Sequence, residues 1–189
     1  MEKYEIQIKN ELNELSDTQK LLFGACCVDR ILYVIDDFDK LLSDVYDEDN
    51  DPSYFSSCSQ YLDAIFRYIE NNIQISQKDI QRILENLDEI IPDTEEFSDD
   101  TALFTQNTMI ALSYLYNFLD TNKLNYIINC SNKLIETVDV VSYESNSENI
   151  ESIYEAEYKV QLECISMIKN NSNVTALRNF NKNNIISTS

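Results

Sequence analysis

The sequence predicts an all-α protein, a single-domain antiparallel helical bundle of about seven to nine helices around a charge-free central helix. Three observations carry this. The 189 residues hold one glycine, Gly24, and two prolines, Pro52 and Pro92, whereas tight β-hairpins draw on glycine. Apolar residues recur three and four apart along nearly the whole chain. Thr101–Leu119 carries no charged residue although the formal net charge is −20. With 43% hydrophobic residues the chain is no disordered acidic tail.

Tyr4, Ile8, Leu12 and Leu15 set the first helix, about residues 3–15. Ser16-x-x-Gln19 reads as a capping box for the next. Its stripe of Leu22, Ala25, Cys26, Leu32, Ile35, Phe38, Leu42 and Val45 reaches about Tyr46, as one long helix or as two meeting near Tyr33–Val34. Gly24 lies inside it, where glycine costs about 1 kcal/mol against alanine, and close approach of another helix is the ordinary reason to keep one. Asp47–Asp51 reads as a loop, with Asp51 capping a helix that has Pro52 in its first turn. Phe55, Cys58, Leu62, Ile65, Phe66 and Ile69 carry that helix to about Glu70. Ser76 caps the following one, Ile80, Ile83, Leu84 and Leu87 face inward, and Pro92 stops it before the acidic connection Asp93–Asp100.

The charge-free helix spans about 28 Å at roughly 1.5 Å per residue. Seven of its residues are polar (Thr101, Thr105, Gln106, Asn107, Thr108, Ser113, Asn117), which favours burial in a bundle over a membrane span. Gln106, Ser113 and Asn117 fall on one strip, expected to satisfy neighbouring helices, and Ile110→Asp is expected to be severely destabilising. Leu124, Ile127, Ile128, Leu134, Ile135, Val138 and Val141 give the next helix. Ser145-x-x-Glu148 marks another start, and Ile150, Ile153, Tyr154, Tyr158, Leu162, Ile165 and Ile168 continue to about Lys169. Residues 1–170 thus read as one domain, and 171–189 as a short helix near Val174–Phe180 with a frayed tail.

The composition excludes much chemistry. There is no histidine, so histidine-based acid–base catalysis, Ser-His-Asp arrangements and the usual zinc sets are ruled out. One glycine cannot build a phosphate-cradling loop. The five cysteines (Cys26, Cys27, Cys58, Cys130, Cys164) contain no CxxC, fall on apolar stripes and read as core residues. With no apolar leader at the start, a reducing cytoplasm is the expected location. Asp47-Glu48-Asp49-Asn50-Asp51 has carboxylates at calcium-loop positions 1, 3 and 5, but Pro52 and Cys58 replace the glycine and glutamate that such a loop needs. No metal, cofactor or catalytic residue is expected.

Residues 36–100 hold 19 acidic and four basic side chains, −15 of the total −20. A field of that sign repels nucleic acid and anionic membrane and attracts basic proteins, although solubility alone is an equally simple use. The candidate partner-binding surface is Asp36, Asp37 and Asp39 with Asp47, Glu48, Asp49 and Asp51, or the connection with Asp93, Glu95, Glu96, Asp99 and Asp100.

Four blocks carry a family resemblance: Phe23-Gly24-Ala25-Cys26-Cys27-Val28-Asp29-Arg30; LDEIIPDTEEF at Leu87–Phe97; Ala111-Leu112-Ser113; and Glu155-x-Glu157-Tyr158-x-Val160-Gln161. In this order, over roughly Leu12–Lys169, they resemble the YjaG-like bacterial domain-of-unknown-function family. The resemblance implies an all-helical soluble bacterial protein with no established activity, cofactor or catalytic residues. Asn107 and Tyr114 stand where relatives carry aspartate and glutamate, so any polar site those acids make is in doubt here. Relatives also occur among proteins read as immunity proteins of bacterial toxin systems. The leading expectation is therefore a non-catalytic acidic binding protein, an immunity protein that neutralises a cognate, basic toxin. A housekeeping interaction protein of the same family is the alternative, and a carboxylate metal enzyme the third. Tyrosines at helix edges leave room for a homodimer.

Overall fold

In the computed structural model, which describes residues 2–46, 53–95, 97, 100–144 and 150–186, nine helices follow one another. They are α1 Glu2–Asn13, α2 Asp17–Ile31, α3 Val34–Tyr46, α4 Tyr54–Asn71, α5 Gln77–Ile90, α6 Asp100–Thr121, α7 Leu124–Glu144, α8 Ile150–Lys169 and α9 Val174–Lys182. Among the described residues there is no strand, and no helix is long and apolar enough to cross a membrane.

Local chemistry sets the helix ends. Ser16 and Gln19 form the expected capping box, Gln19 N–H donating to Ser16 Oγ and Ser16 N–H to Gln19 Oε1. Ser76 caps α5 as expected. Asp51 and Pro52, expected to open α4, lie outside the described residues, and Ser53 caps that helix. Asn72, Asn122 and Asn171 adopt φ of 53°, 54° and 58° just past α4, α6 and α8. Asparagine tolerates the left-handed conformation best after glycine, which is how these three helices end without one. The choice between one long helix and two is resolved as α2 and α3, separated at Leu32–Tyr33.

Two helices, α2 and α6, organise the packing. α6 lies against α7, α2, α3, α5 and α4. α2 touches α7, α6, α4, α8 and α9, and every residue from Leu21 to Ile31 is buried. Gly24 sits where α2, α6 and α7 meet: a Cβ there would lie 2.6 Å from Leu115 Cδ2 and 3.0 Å from Ile127 Cδ1. Close approach is thus the reason for this glycine.

The polar strip of α6 differs from expectation. Ser113 and Asn117 donate to Met109 and Ser113 carbonyl oxygens of their own helix, and Gln106 alone among the three reaches another segment, donating to the Pro92 carbonyl oxygen at 3.0 Å. Such back-bonding lets a small polar side chain sit on a helix without a neighbour. Ile110 is only half-buried, whereas Met109 and Leu112 are fully enclosed. The buried polar residues of α6 are Thr105, Asn107 and Thr108. Asn107 joins α6 to α7, its Oδ1 accepting from Lys133 Nζ at 3.2 Å and its Nδ2 donating to Thr137 Oγ1 at 3.4 Å.

A second, small core stands apart from the main one: Phe38 and Leu42 of α3 and Ala102 of α6, with Leu41, Tyr54 and Phe97 around them.

Candidate functional site

Both candidate acidic stretches contribute an aromatic residue to that small core. Phe38 lies between Asp37 and Asp39, and Phe97 lies inside the acidic connection. Their rings meet edge to face with centroids 5.1 Å apart. Phe38 and Phe97, distant in sequence, thus bring α3 and part of the acidic connection into contact. Asp37, Asp93, Glu95 and Asp100 are exposed and Asp36 is half-exposed. Lys40 pairs with both Asp36 and Asp37, at 2.7 and 3.1 Å. Asp93 Oδ1 accepts from the Glu95 N–H at 3.0 Å, and Asp100 sits in the first turn of α6, where the helix dipole favours an anion.

Asp39 does different work. Its carboxylate accepts from the Tyr54 and Phe55 N–H groups, each at 3.0 Å, and from the Ser53 hydroxyl at 2.5 Å. It ties the start of α4 to α3 and has little left to offer a partner. Asp47, Glu48, Asp49, Asp51, Glu96 and Asp99 lie outside the described residues.

A second constellation, missed from the sequence, lies inside the molecule. Consecutive residues of α2 carry it. Arg30 forms a bidentate pair with Glu157 of α8, Nη1 to Oε1 and Nη2 to Oε2, both at 2.6 Å, with each side chain 5% exposed. Arg30 Nε donates to the Asn184 carbonyl oxygen at 2.7 Å, and the Arg30 carbonyl oxygen accepts from the Ile186 N–H at 3.3 Å. Residues 183–186, read from the sequence as tail, are thereby held against α2. Glu157 Oε1 also accepts from Gln161 Nε2, and Gln161 Oε1 accepts from the Ser131 hydroxyl of α7. Burial works to lower the Arg30 pKa, and the hydrogen bonds and charge of Glu157 more than offset it, leaving it above its ordinary value.

Asp29 turns the other way. Its Oδ2 accepts from Asn181 Nδ2 at 2.9 Å, and its Oδ1 stands 3.4 Å from Arg178 Nη2. Arg178 also reaches Asp63 of α4 at 2.8 Å and lies over the Phe66 ring. Burial pushes the Asp29 carboxyl up, against the opposing pull of Asn181 and Arg178. Both acid–base pairs use residues of the motif blocks singled out above, Asp29-Arg30 and Glu157 to Gln161. The signal was thus present, but nothing in the sequence coupled blocks 127 residues apart. Asn181, in the expected tail, gave no signal.

Above Arg30 and Glu157 opens a groove of about 440 Å³ whose walls include Val138, Val141, Ile153, Val160 and Ile185. Its charged floor is closed on itself, so this centre joins α2, α8 and the terminal segment and presents no free acid or base. The five cysteines are free and buried. Burial pushes the Cys58 thiol up to about 12 and raises Cys27 and Cys130; Cys164 is raised by its hydrogen bond with Cys26 and by burial. Such thiols stay protonated and are poor nucleophiles. Among the described residues no group of three or more Cys, Asp and Glu could hold a metal ion.

A family model described as "Protein of unknown function (DUF416)" matches residues 7–187. A solved structure, that of a DUF416 family protein from Shewanella baltica OS155 determined at 1.91 Å resolution, is similar with a TM-score of 0.72 over 95% of each chain at 18% identity. At that identity the likeness is one of fold. No curated protein matches the chain.

Proposed function

The chain belongs to the DUF416 family, and we propose that it is a non-catalytic acidic binding protein whose partner is a basic protein. Within the family we place it with the YjaG-like members, on the four motif blocks, and read it as an immunity protein that binds and neutralises a cognate bacterial toxin. The observation that supports the reading is the Phe38–Phe97 contact between α3 and the acidic connection; the proposed surface combines Asp36 and Asp37 with Asp93, Glu95 and Asp100. Exposed carboxylates on such a surface accelerate encounter with a cation-rich partner by long-range steering. Apolar neighbours then supply the hold. Raised cysteine pKa values and an internally closed Arg30–Glu157 centre support a role without catalysis. Five free cysteines support a reducing compartment, and we place the encounter in the cytoplasm.

Tagged protein expressed in its own bacterium is expected to retain a basic protein that inhibits growth when produced alone. Retention should fall as salt rises, and co-production of the chain should restore growth. A partner that stays bound regardless of salt, with no rescue, refutes the immunity reading.

A further inference from the structure

Three of the four arginines are committed to carboxylates: Arg30 to Glu157, Arg82 to Asp79, and Arg178 to Asp29 and Asp63. Arg67, exposed on α4, donates its Nε to the Asp63 carbonyl oxygen one turn back at 3.2 Å, and its guanidinium makes no ion pair among the described residues. It lines a cavity of about 400 Å³ between α4, α5 and their connection. Ala64, Ile75 and Ile83 and the Tyr61 side chain supply apolar surface there, and Ile73, 55% exposed, extends it outward. The charged lining is Arg67 and Arg82 against Asp79, one positive charge in excess, inside a molecule of net charge −20. The Arg82–Asp79 pair is a surface pair, with side chains 72% and 45% exposed, and such pairs exchange partners at little cost. Gln60 and Gln74 complete the lining, and a mixed wall of aliphatic and convergent polar groups at this volume can hold a small ligand that has both an apolar and a charged part.

We propose that this cavity binds a small carboxylate with an apolar body, its head group on Arg67 with help from Arg82 and its body against Ala64, Ile75 and Ile83. A planar guanidinium fork matches a carboxylate bidentately. A single excess charge neutralises one anionic group, and the surrounding acidic field repels a multiply charged anion more strongly than a monoanion. The groove over Arg30 offers no comparable head-group site, because that guanidinium is already taken by Glu157 and Asn184.

The test is an amide NMR titration of the full chain with octanoate, with 1-octanol and acetate as the body and the head group alone. Octanoate should give saturable shifts centred on residues 60–83, and each half-ligand should bind at least about tenfold more weakly. Arg67→Gln should weaken octanoate about tenfold with an unchanged unfolding midpoint, and Arg82→Gln by less, since Arg82 has Asp79 to return to. No saturable shift, shifts centred elsewhere, octanol binding as tightly as octanoate, or full affinity in Arg67→Gln overturns the proposal. Should Arg67→Gln disturb folding, octanoate against octanol on the unaltered chain decides.

Discussion

Arg30 is a charged residue that the core encloses, 4% exposed. A charged residue on a helix is usually solvated, and buried ones are found paired. Arg30 is paired on every side that matters, so it belongs to the core. Removing one partner leaves an uncompensated buried charge, which costs about 3–5 kcal/mol. Glu157→Ala should lose that much in urea unfolding and release residues 183–186 from α2, measurable as faster amide exchange at Ile186. Asp29, beside it, has the opposite bias. Its folded pKa is raised, chiefly by burial. Its contribution is therefore complete below the unfolded carboxylate value, about 3.9, and lost as pH rises through the higher folded value. The stability of the native chain relative to Asp29→Asn should fall as pH rises from the unfolded carboxylate value through the higher folded one. A pH-independent difference would show that Arg178 and Asn181 cancel desolvation, and a rise with pH that they outweigh it.

At the scale of the element, the helices were legible because each buries a stripe with a period near 3.6. Capping chemistry at Ser16 and Ser76 located two starts correctly. The ranking of helices was harder to see. Absence of charge singled out α6, whereas α2, with Asp29 and Arg30 inside it, is enclosed just as fully from Leu21 to Ile31. A scan for charge cannot separate a solvated pair from a buried one whose partners lie on α8 and α9. It also could not anticipate that Asp39 serves α4, since that bond spans the α3–α4 connection. Within α6 the expectation for the strip holds for Gln106, which reaches Pro92, and fails for Ser113 and Asn117, which bond to their own backbone. The better probe of α6 burial is Leu112, fully enclosed, rather than half-buried Ile110. Leu112→Asp should abolish the cooperative thermal transition at neutral pH, and Ile110→Asp should leave a folded protein with a lowered midpoint. Equal damage from the two would contradict the orientation of α6.

At the scale of the molecule, a bundle with a charge of −20 stays folded because its interior charges are neutralised in pairs and its excess charge is held outside. Acidic surface of this kind repels itself, an effect that salt relieves. A partner of opposite charge relieves it as well, and that is the connection between composition and the proposed role. The acidic composition was plain in the sequence; the meeting of its two segments at Phe38 and Phe97 was not, because it depends on α3 packing beside α6. The most direct test is the affinity of the recovered partner for the native chain and for an Asp36→Lys, Asp37→Lys, Asp93→Lys, Glu95→Lys variant across a salt series. The acidic-face account predicts a loss of about a hundredfold or more at low salt, a difference that narrows as ions screen the surface, and an unchanged helical signal in the variant. Equal affinity of the two proteins at every salt concentration would contradict it.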